Sequence, residues 1–146
     1  MITQDTDFKQ ALDKLGLAQQ RRVGAAFVRN VLALNPAVTK VVDAAANEDT
    51  TADELAVAFK QAKAAALDSH TRCGSDSDWQ AQAGYFVARA ATALVAPDKQ
   101  AKAPAWEAAV NARMARTCGH IDASDESMHE ESEAQYRLLE QFLNDI

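Results

Sequence analysis

Glycine and proline are scarce in this chain, with five and three among 146 residues, and there are only two cysteines. So few turn-forming residues exclude the loop-rich barrels and sandwiches as well as low-complexity linkers. Two cysteines cannot build the disulfide framework of a small secreted scaffold. Cations are also in deficit, 15 lysines and arginines against 21 acids, for a formal net charge of −6. A nucleic-acid or anionic-membrane surface needs a concentrated cationic face, and the nearest approach is Arg21, Arg22 and Arg29. No apolar stretch approaches the ~18 residues that span a bilayer. The opening Met1-Ile2-Thr3-Gln4-Asp5 lacks the positive start and apolar run of a secretory signal. The expected compartment is therefore the cytoplasm, where Cys73 and Cys118 are thiols unless a metal or a bridge claims them. Neither a glycine-rich phosphate loop nor a Gly-x-Ser-x-Gly elbow is present.

What remains is a helix-forming chain. Hydrophobic residues make up 48% and charged residues 25%, ordinary for a folded domain, and alanine is used heavily. The expected fold is all-α, a single bundle of about seven helices over residues 1–146. Thr6 is positioned to cap a first helix carrying Phe8, Leu12 and Leu15, which Gly16 ends. A second helix places Val23, Phe27, Val31 and Leu34 on one stripe, and Asn35-Pro36 opens a short third with Val38, Val41 and Val42. Thr51-Ala52-Asp53-Glu54 is a capping box that starts a long helix through Leu55, Phe59, Ala62, Ala66 and Leu67 to Cys73. Ser77-Asp78-Trp79-Gln80 is a second box, leading into a central helix with Phe86, Val87, Ala90 and Leu94. Pro104 begins a sixth helix with Trp106, Val110 and Met114 inward, and Ser127 to Glu130 caps a seventh carrying Tyr136, Leu139, Phe142 and Leu143. Trp79 and Trp106 each open an apolar stripe and read as core anchors.

Two helix endings repeat, Arg72-Cys73-Gly74 and Arg116-Thr117-Cys118-Gly119-His120. Glycine after a run of helix formers is the usual left-handed stop, so both cysteines belong in a last turn. Gly24-Ala25-Ala26-Phe27-Val28-Arg29 also echoes Ala83-Gly84-Tyr85-Phe86-Val87-Ala88-Arg89. Duplication of a helical-hairpin unit is one reading of these echoes, and chance likeness between alanine-rich helices is the other.

The sharpest chemical constellation is His70 with Cys73 and Cys118 with His120. Two thiolates and two imidazoles complete a tetrahedral zinc shell if the two reversals meet. Against it stands the spacing, since Cys-x-His across a helix-stopping glycine is not a common ligand pair. The competing reading packs both cysteines as small hydrophobes and lets His70 and His120 cap carbonyls at helix ends. Redox or nucleophilic use of these cysteines is disfavoured because a helix C-terminus raises a thiol's pKa. Glu126-x-x-His129 matches half of a bundle di-iron motif; Glu54 and Glu107, near helix starts, serve the dipole better than a core metal. The acidic run from Asp122 to Glu133 suits the start of a helix, or alternatively the docking of a basic partner or divalent cations.

The order of motifs resembles the YjaG-like family of all-helical bacterial proteins. The matching pieces are Phe8-x-x-x-Leu12-x-x-Leu15 followed by Gln19-Gln20, the central helix through Tyr85, Ala90, Ala91, Ala93 and Leu94, and the closing Glu131-x-Glu133-x-Gln135. Leu34-Asn35-Pro36 stands where that family has an arginine-proline-asparagine run. The resemblance implies a helical bundle and carries over no catalytic residues. The functional expectation is a non-enzymatic binding or protein-assembly module without a cofactor, acting on a protein partner or by self-association, with no nucleic acid and no membrane. The alternative is a metal or redox protein holding zinc at His70, Cys73, Cys118 and His120.

Overall fold

The computed structural model describes residues 1–73, 79–119 and 125–146, with the side chains of all of these except 71–73, 119 and 125–128. Among them the chain forms seven α-helices and no strand: α1 (Asp5–Asp13), α2 (Leu17–Arg29), α3 (Thr39–Ala46), α4 (Ala52–Cys73), α5 (Trp79–Val95), α6 (Pro104–Gly119) and α7 (Asp125–Asp145). The all-helical expectation holds. Two single 3-10 turns, Leu32–Leu34 and Pro36–Val38, join α2 to α3.

Local signals explain two of the helix starts. Thr51 and Glu54 close their capping box, the Thr51 amide donating to Glu54 Oε1 at 3.0 Å and the Glu54 amide to Thr51 Oγ1 at 3.1 Å. Those bonds hold the Glu54 carboxyl below the usual range. Pro104 sits at the first position of α6, where its missing N–H costs nothing. Some expectations shift. The first helix starts at Asp5 after an extended Gln4, so Thr6 lies inside it. The second ends at Arg29, five residues short of the expected stripe, and Leu34 falls in a 3-10 turn. The Ser77 end of the second box lies outside the described residues, and α7 starts at Asp125, so Ser127, expected as its cap, lies inside the helix.

The core is two abutting clusters, and α2 and α6 face both. Val23 and Phe27 of α2 join Phe8, Leu12, Ala105, Ala109, Tyr136 and Leu139. Ala25 and Val28 turn to the larger cluster, with Val41 and Val42 of α3, Ala58 and Ala62 of α4, and Val87, Ala91 and Leu94 of α5. Along α6, Ala105 and Ala109 serve the first cluster while Ala108, Ala112 and Ala115 serve the second. These are two neighbouring stripes at helical spacing on one helix. The inward face of α6 is thus alanine, and Trp106, Val110 and Met114, expected inward, are only half-buried. The reason is proximity: α5 contributes Ala83, Ala88, Ala90 and Ala91, and small residues on both helices let their axes approach where larger ones would hold them apart.

Gly24 extends this closeness to α2, since a Cβ there would lie 2.2 Å from Leu94 Cδ2 and 3.5 Å from Ala105 Cα. At the end of α5, Arg21 takes the place of a glycine cap. Its Nε donates to Leu94 O at 3.0 Å and its Nη2 to Ala96 O at 2.9 Å, while Asp98 Oδ1 lies 3.0 Å away. Leu67 and Trp79 are exposed at 67% and 43%, so neither is the core residue the sequence suggests. No helix among the described residues is long and apolar enough to cross a membrane.

Candidate functional site

The four candidate zinc ligands are only partly placed. His70 is exposed on α4, its ring 5.3 Å from that of Tyr85, and Cys118 is buried in the last turn of α6. Cys73 is the final residue of α4, but its side chain lies outside the described residues, as does His120. Contacts along α4, α5 and α6 run antiparallel, His70 beside Tyr85 and Phe59 near Ala96, so α4 and α6 end at the pole where α5 begins. Among the described residues no three His, Cys, Asp or Glu side chains cluster as metal ligands.

The other acidic and histidine candidates have local partners. His129 is exposed and faces Glu133 one turn on, Nε2 to Oε1 at 3.1 Å. Glu126 and the stretch 122–125 lie outside the described side chains. Glu131, expected within an acidic docking surface, is instead buried at 4% exposure, accepting from Arg116 Nε at 3.3 Å and Asn30 Nδ2 at 2.9 Å. Arg21, Arg22 and Arg29, the one cationic run in the sequence, each lie within 3.7 Å of a carboxylate, on Asp98, Glu48 and Asp43.

The strongest buried polar assembly was not visible in the sequence. Arg113, 7% exposed, makes a two-pronged pair with Asp5 at 2.9 and 3.0 Å and donates from Nε to Gln135 Oε1 at 2.8 Å. The guanidinium carbon lies 5.5 Å from the ring centres of both Phe8 and Trp106. Gln135, fully buried, returns its amide to Ala109 O at 3.0 Å, and the Tyr136 hydroxyl donates to Asp5 Oδ1 at 2.7 Å. The Arg113 hydrogen bond holds the Asp5 carboxyl below its ordinary range, and burial, reinforced by Asp5, pushes the Tyr136 hydroxyl up to about 12. Such shifts mark catalytic groups as often as structural ones. Here the groups pair with one another, and the assembly ties α1, α6 and α7 together.

A groove on the other side of α6 has the opposite character. It measures about 520 Å³ and runs between α4, α5 and α6, within the range of small-molecule seats. Its floor is Ala66, Ala93 and Ala96, and Phe59 forms part of one side. Lys63 and Arg89 enter from α4 and α5. Lys63 Nζ rests 4.3 Å from the Phe59 ring centre, and the Arg89 guanidinium carbon lies 5.7 Å from that of Tyr85. Neither forms an ion pair among the described residues. From α6 come Glu107 and Asn111; Asn111 Nδ2 donates to the Glu107 carbonyl at 2.8 Å, which leaves its Oδ1 and the Glu107 carboxylate as acceptors. Thr92 Oγ1 donates back to Ala88 O at 2.7 Å.

Sequence reasoning overlooked this groove, although its signal was present. Phe59, Lys63 and Ala66 recur at i, i+4 and i+7, Arg89, Thr92, Ala93 and Ala96 at i, i+3, i+4 and i+7, and Glu107 and Asn111 at i, i+4. Each set is a helical stripe beside the buried one. Comparison with protein-family models, curated proteins and solved structures found none that matches this chain.

Proposed function

We propose that this chain is a non-enzymatic binding domain of the cytoplasm and that the groove between α4, α5 and α6 is its ligand seat. One observation carries the reading: the groove presents two cations, Lys63 and Arg89, and a carboxylate, Glu107, that form no ion pair with each other among the described residues. In the buried assembly around Arg113, by contrast, the guanidinium already donates to Asp5 and Gln135. Kinship with the YjaG-like family is proposed on motif order alone and adds no site residue.

The test is a fragment screen on isotopically labelled protein, following backbone amide resonances. Binding at the groove shifts the amides of Ala66, Thr92, Ala93 and Ala96, and Ala93→Phe, which fills the floor, abolishes those shifts. Fragments that perturb no groove amide would overturn the reading, as would a turnover activity dependent on Cys73 or His120.

Self-association or a protein partner is a second proposal; Val57 and Leu67 on α4 stand 56% and 67% exposed but, about 15 Å apart along the helix, form no contiguous patch. A native mass of one chain at micromolar concentration would count against self-association. The zinc or redox alternative draws support from the shared pole of the α4 and α6 ends. Elemental analysis of protein purified without chelator tests it: zinc near one per chain, lost on Cys118→Ser, favours that site, and metal-free folded protein counts against it.

A further inference from the structure

We infer that the groove takes a small two-ended organic molecule, with an anionic head between Lys63 and Arg89 and a hydroxyl- or amine-bearing tail toward Glu107 and Asn111. This rests on reading the groove as the ligand seat and adds the chemical class of what it holds.

The head is assigned by how arginines are used across the molecule. Arg21, Arg22, Arg29, Arg113 and Arg116 each lie within 3.7 Å of a carboxylate. Among the described residues Arg89 and Arg137 do not, in a chain with six more acids than lysines and arginines, and of these two only Arg89 lines the groove. Arg89 and Lys63 are instead seated over aromatic rings, at 5.7 and 4.3 Å from the ring centres. A ring attracts the cation through its face but accepts few of its N–H groups, so the donors stay available for an anion. Arg89 offers a planar fork suited to carboxylate or phosphate, and Lys63 adds a point charge.

The tail is assigned by the facing helix. Asn111 gives one of its two amide hydrogens to the Glu107 carbonyl and keeps the other, so α6 offers the groove the Glu107 carboxylate and Asn111 Oδ1 as acceptors beside a single neutral N–H donor. A ligand that carried only negative charge would meet Glu107 unfavourably; one with hydroxyl or ammonium donors at its far end meets both sides correctly. Between the ends, the methyl groups of Ala66, Ala93 and Ala96 suit a short carbon frame.

Two probes separate the possible heads: glucosamine 6-phosphate, with a phosphate, and 6-aminohexanoate, with a carboxylate. Glucosamine and inorganic phosphate serve as half-ligands. Amide shifts are followed in titrations to about 10 mM, a concentration that registers even millimolar dissociation constants. At least one two-ended probe should saturate the groove amides at least tenfold more tightly than either half-ligand, and which one binds identifies the head. Lys63→Gln and Arg89→Gln should each weaken it about tenfold, and Glu107→Gln should weaken the two-ended probe while leaving inorganic phosphate unchanged. All three side chains are exposed, so the variants should keep the wild-type melting curve. Equal affinity for phosphate and the two-ended probes, or shifts undiminished in Lys63→Gln and Arg89→Gln, would overturn the inference. If benzyl alcohol and indole seat in the groove while both charged probes fail, the ligand class falls and the binding-domain reading stands; if none of these perturbs the groove, both fall.

Discussion

Arg113 and Asp5, 108 positions apart, meet in a two-pronged pair at 2.9 and 3.0 Å that fastens the first turn of α1 to α6. Arg113 is nearly buried, whereas the Asp5 side chain keeps half its surface in water. Removing the arginine also strips the fully buried Gln135 of its donor. Arg113→Met should therefore cost about 2–4 kcal/mol in urea denaturation, and Asp5→Asn, which leaves an exposed partner able to accept, about 1 kcal/mol. Equal costs would mean that the Gln135 bond and the contacts with the Phe8 and Trp106 rings contribute little.

Asp5 and Tyr136 give stability two opposed pH dependences. The Asp5 carboxyl is held below the usual range, so the folded state keeps its charge where the unfolded chain has taken up a proton. That contribution is present above the unfolded carboxylate range and is lost as pH falls through the folded value. Tyr136 has the reverse sign: its hydroxyl is raised from 10 to about 12, so the contribution is present below pH 10 and is lost as pH rises through the folded value. Urea midpoints against pH should fall on both flanks, with Asp5→Asn flattening the acid side and Tyr136→Phe the alkaline side between pH 10 and about 12.

Gly24 separates helix propensity from packing. Alanine should favour α2 by about 1 kcal/mol, yet its methyl would sit 2.2 Å from Leu94 Cδ2 in a filled core. Gly24→Ala should be destabilising by about 1 kcal/mol net, because Leu94 is fully buried and must leave its rotamer. In a Leu94→Ala background the same change should become stabilising. A double-mutant cycle without that reversal would show that the backbone, rather than Leu94, resists the methyl group.

The two tryptophans should behave differently. Trp79 is 43% exposed at the start of α5, whereas Trp106 packs with Phe8 beneath Arg113. Trp79→Phe should change stability by less than about 0.5 kcal/mol and remove the acrylamide-quenchable, red-shifted part of the emission. Trp106→Ala should cost about 2–3 kcal/mol.

The legible parts of the sequence were those decided within one turn. Thr51 and Glu54 satisfy each other three residues apart, and Pro104 fixes its own dihedral, so those helix starts could be read directly. Partnerships across the fold could not. Nothing near Arg113 announces Asp5 or Gln135, and nothing near Arg21 announces the end of α5. Size ranking misled on α6, where Trp106, Val110 and Met114 were expected inward: when a neighbouring helix comes very close, the smallest residues win the interface. The same bias hid the groove, since its alanines look like core and its Lys63 and Arg89 like an ordinary solvated face. The zinc constellation was legible as composition only, because spacing along the chain does not say whether two helix ends 45 residues apart meet.

The alanine seam between α5 and α6 bears on how the neighbouring groove can change. Its floor residue Ala93 sits on the same helix as the seam alanines, at a position turned away from the seam, and Ala96 follows directly after the last turn. A methyl group has no rotamer to choose, so the width of the groove is a backbone dimension, fixed by how closely the helices lie. A larger residue at position 93 or 96 would then reshape the seat without disturbing the seam, whereas one at position 91 or 112 would spread the helices and alter the seat from below. Ligand preference and scaffold spacing are in this way written on separate faces of one helix.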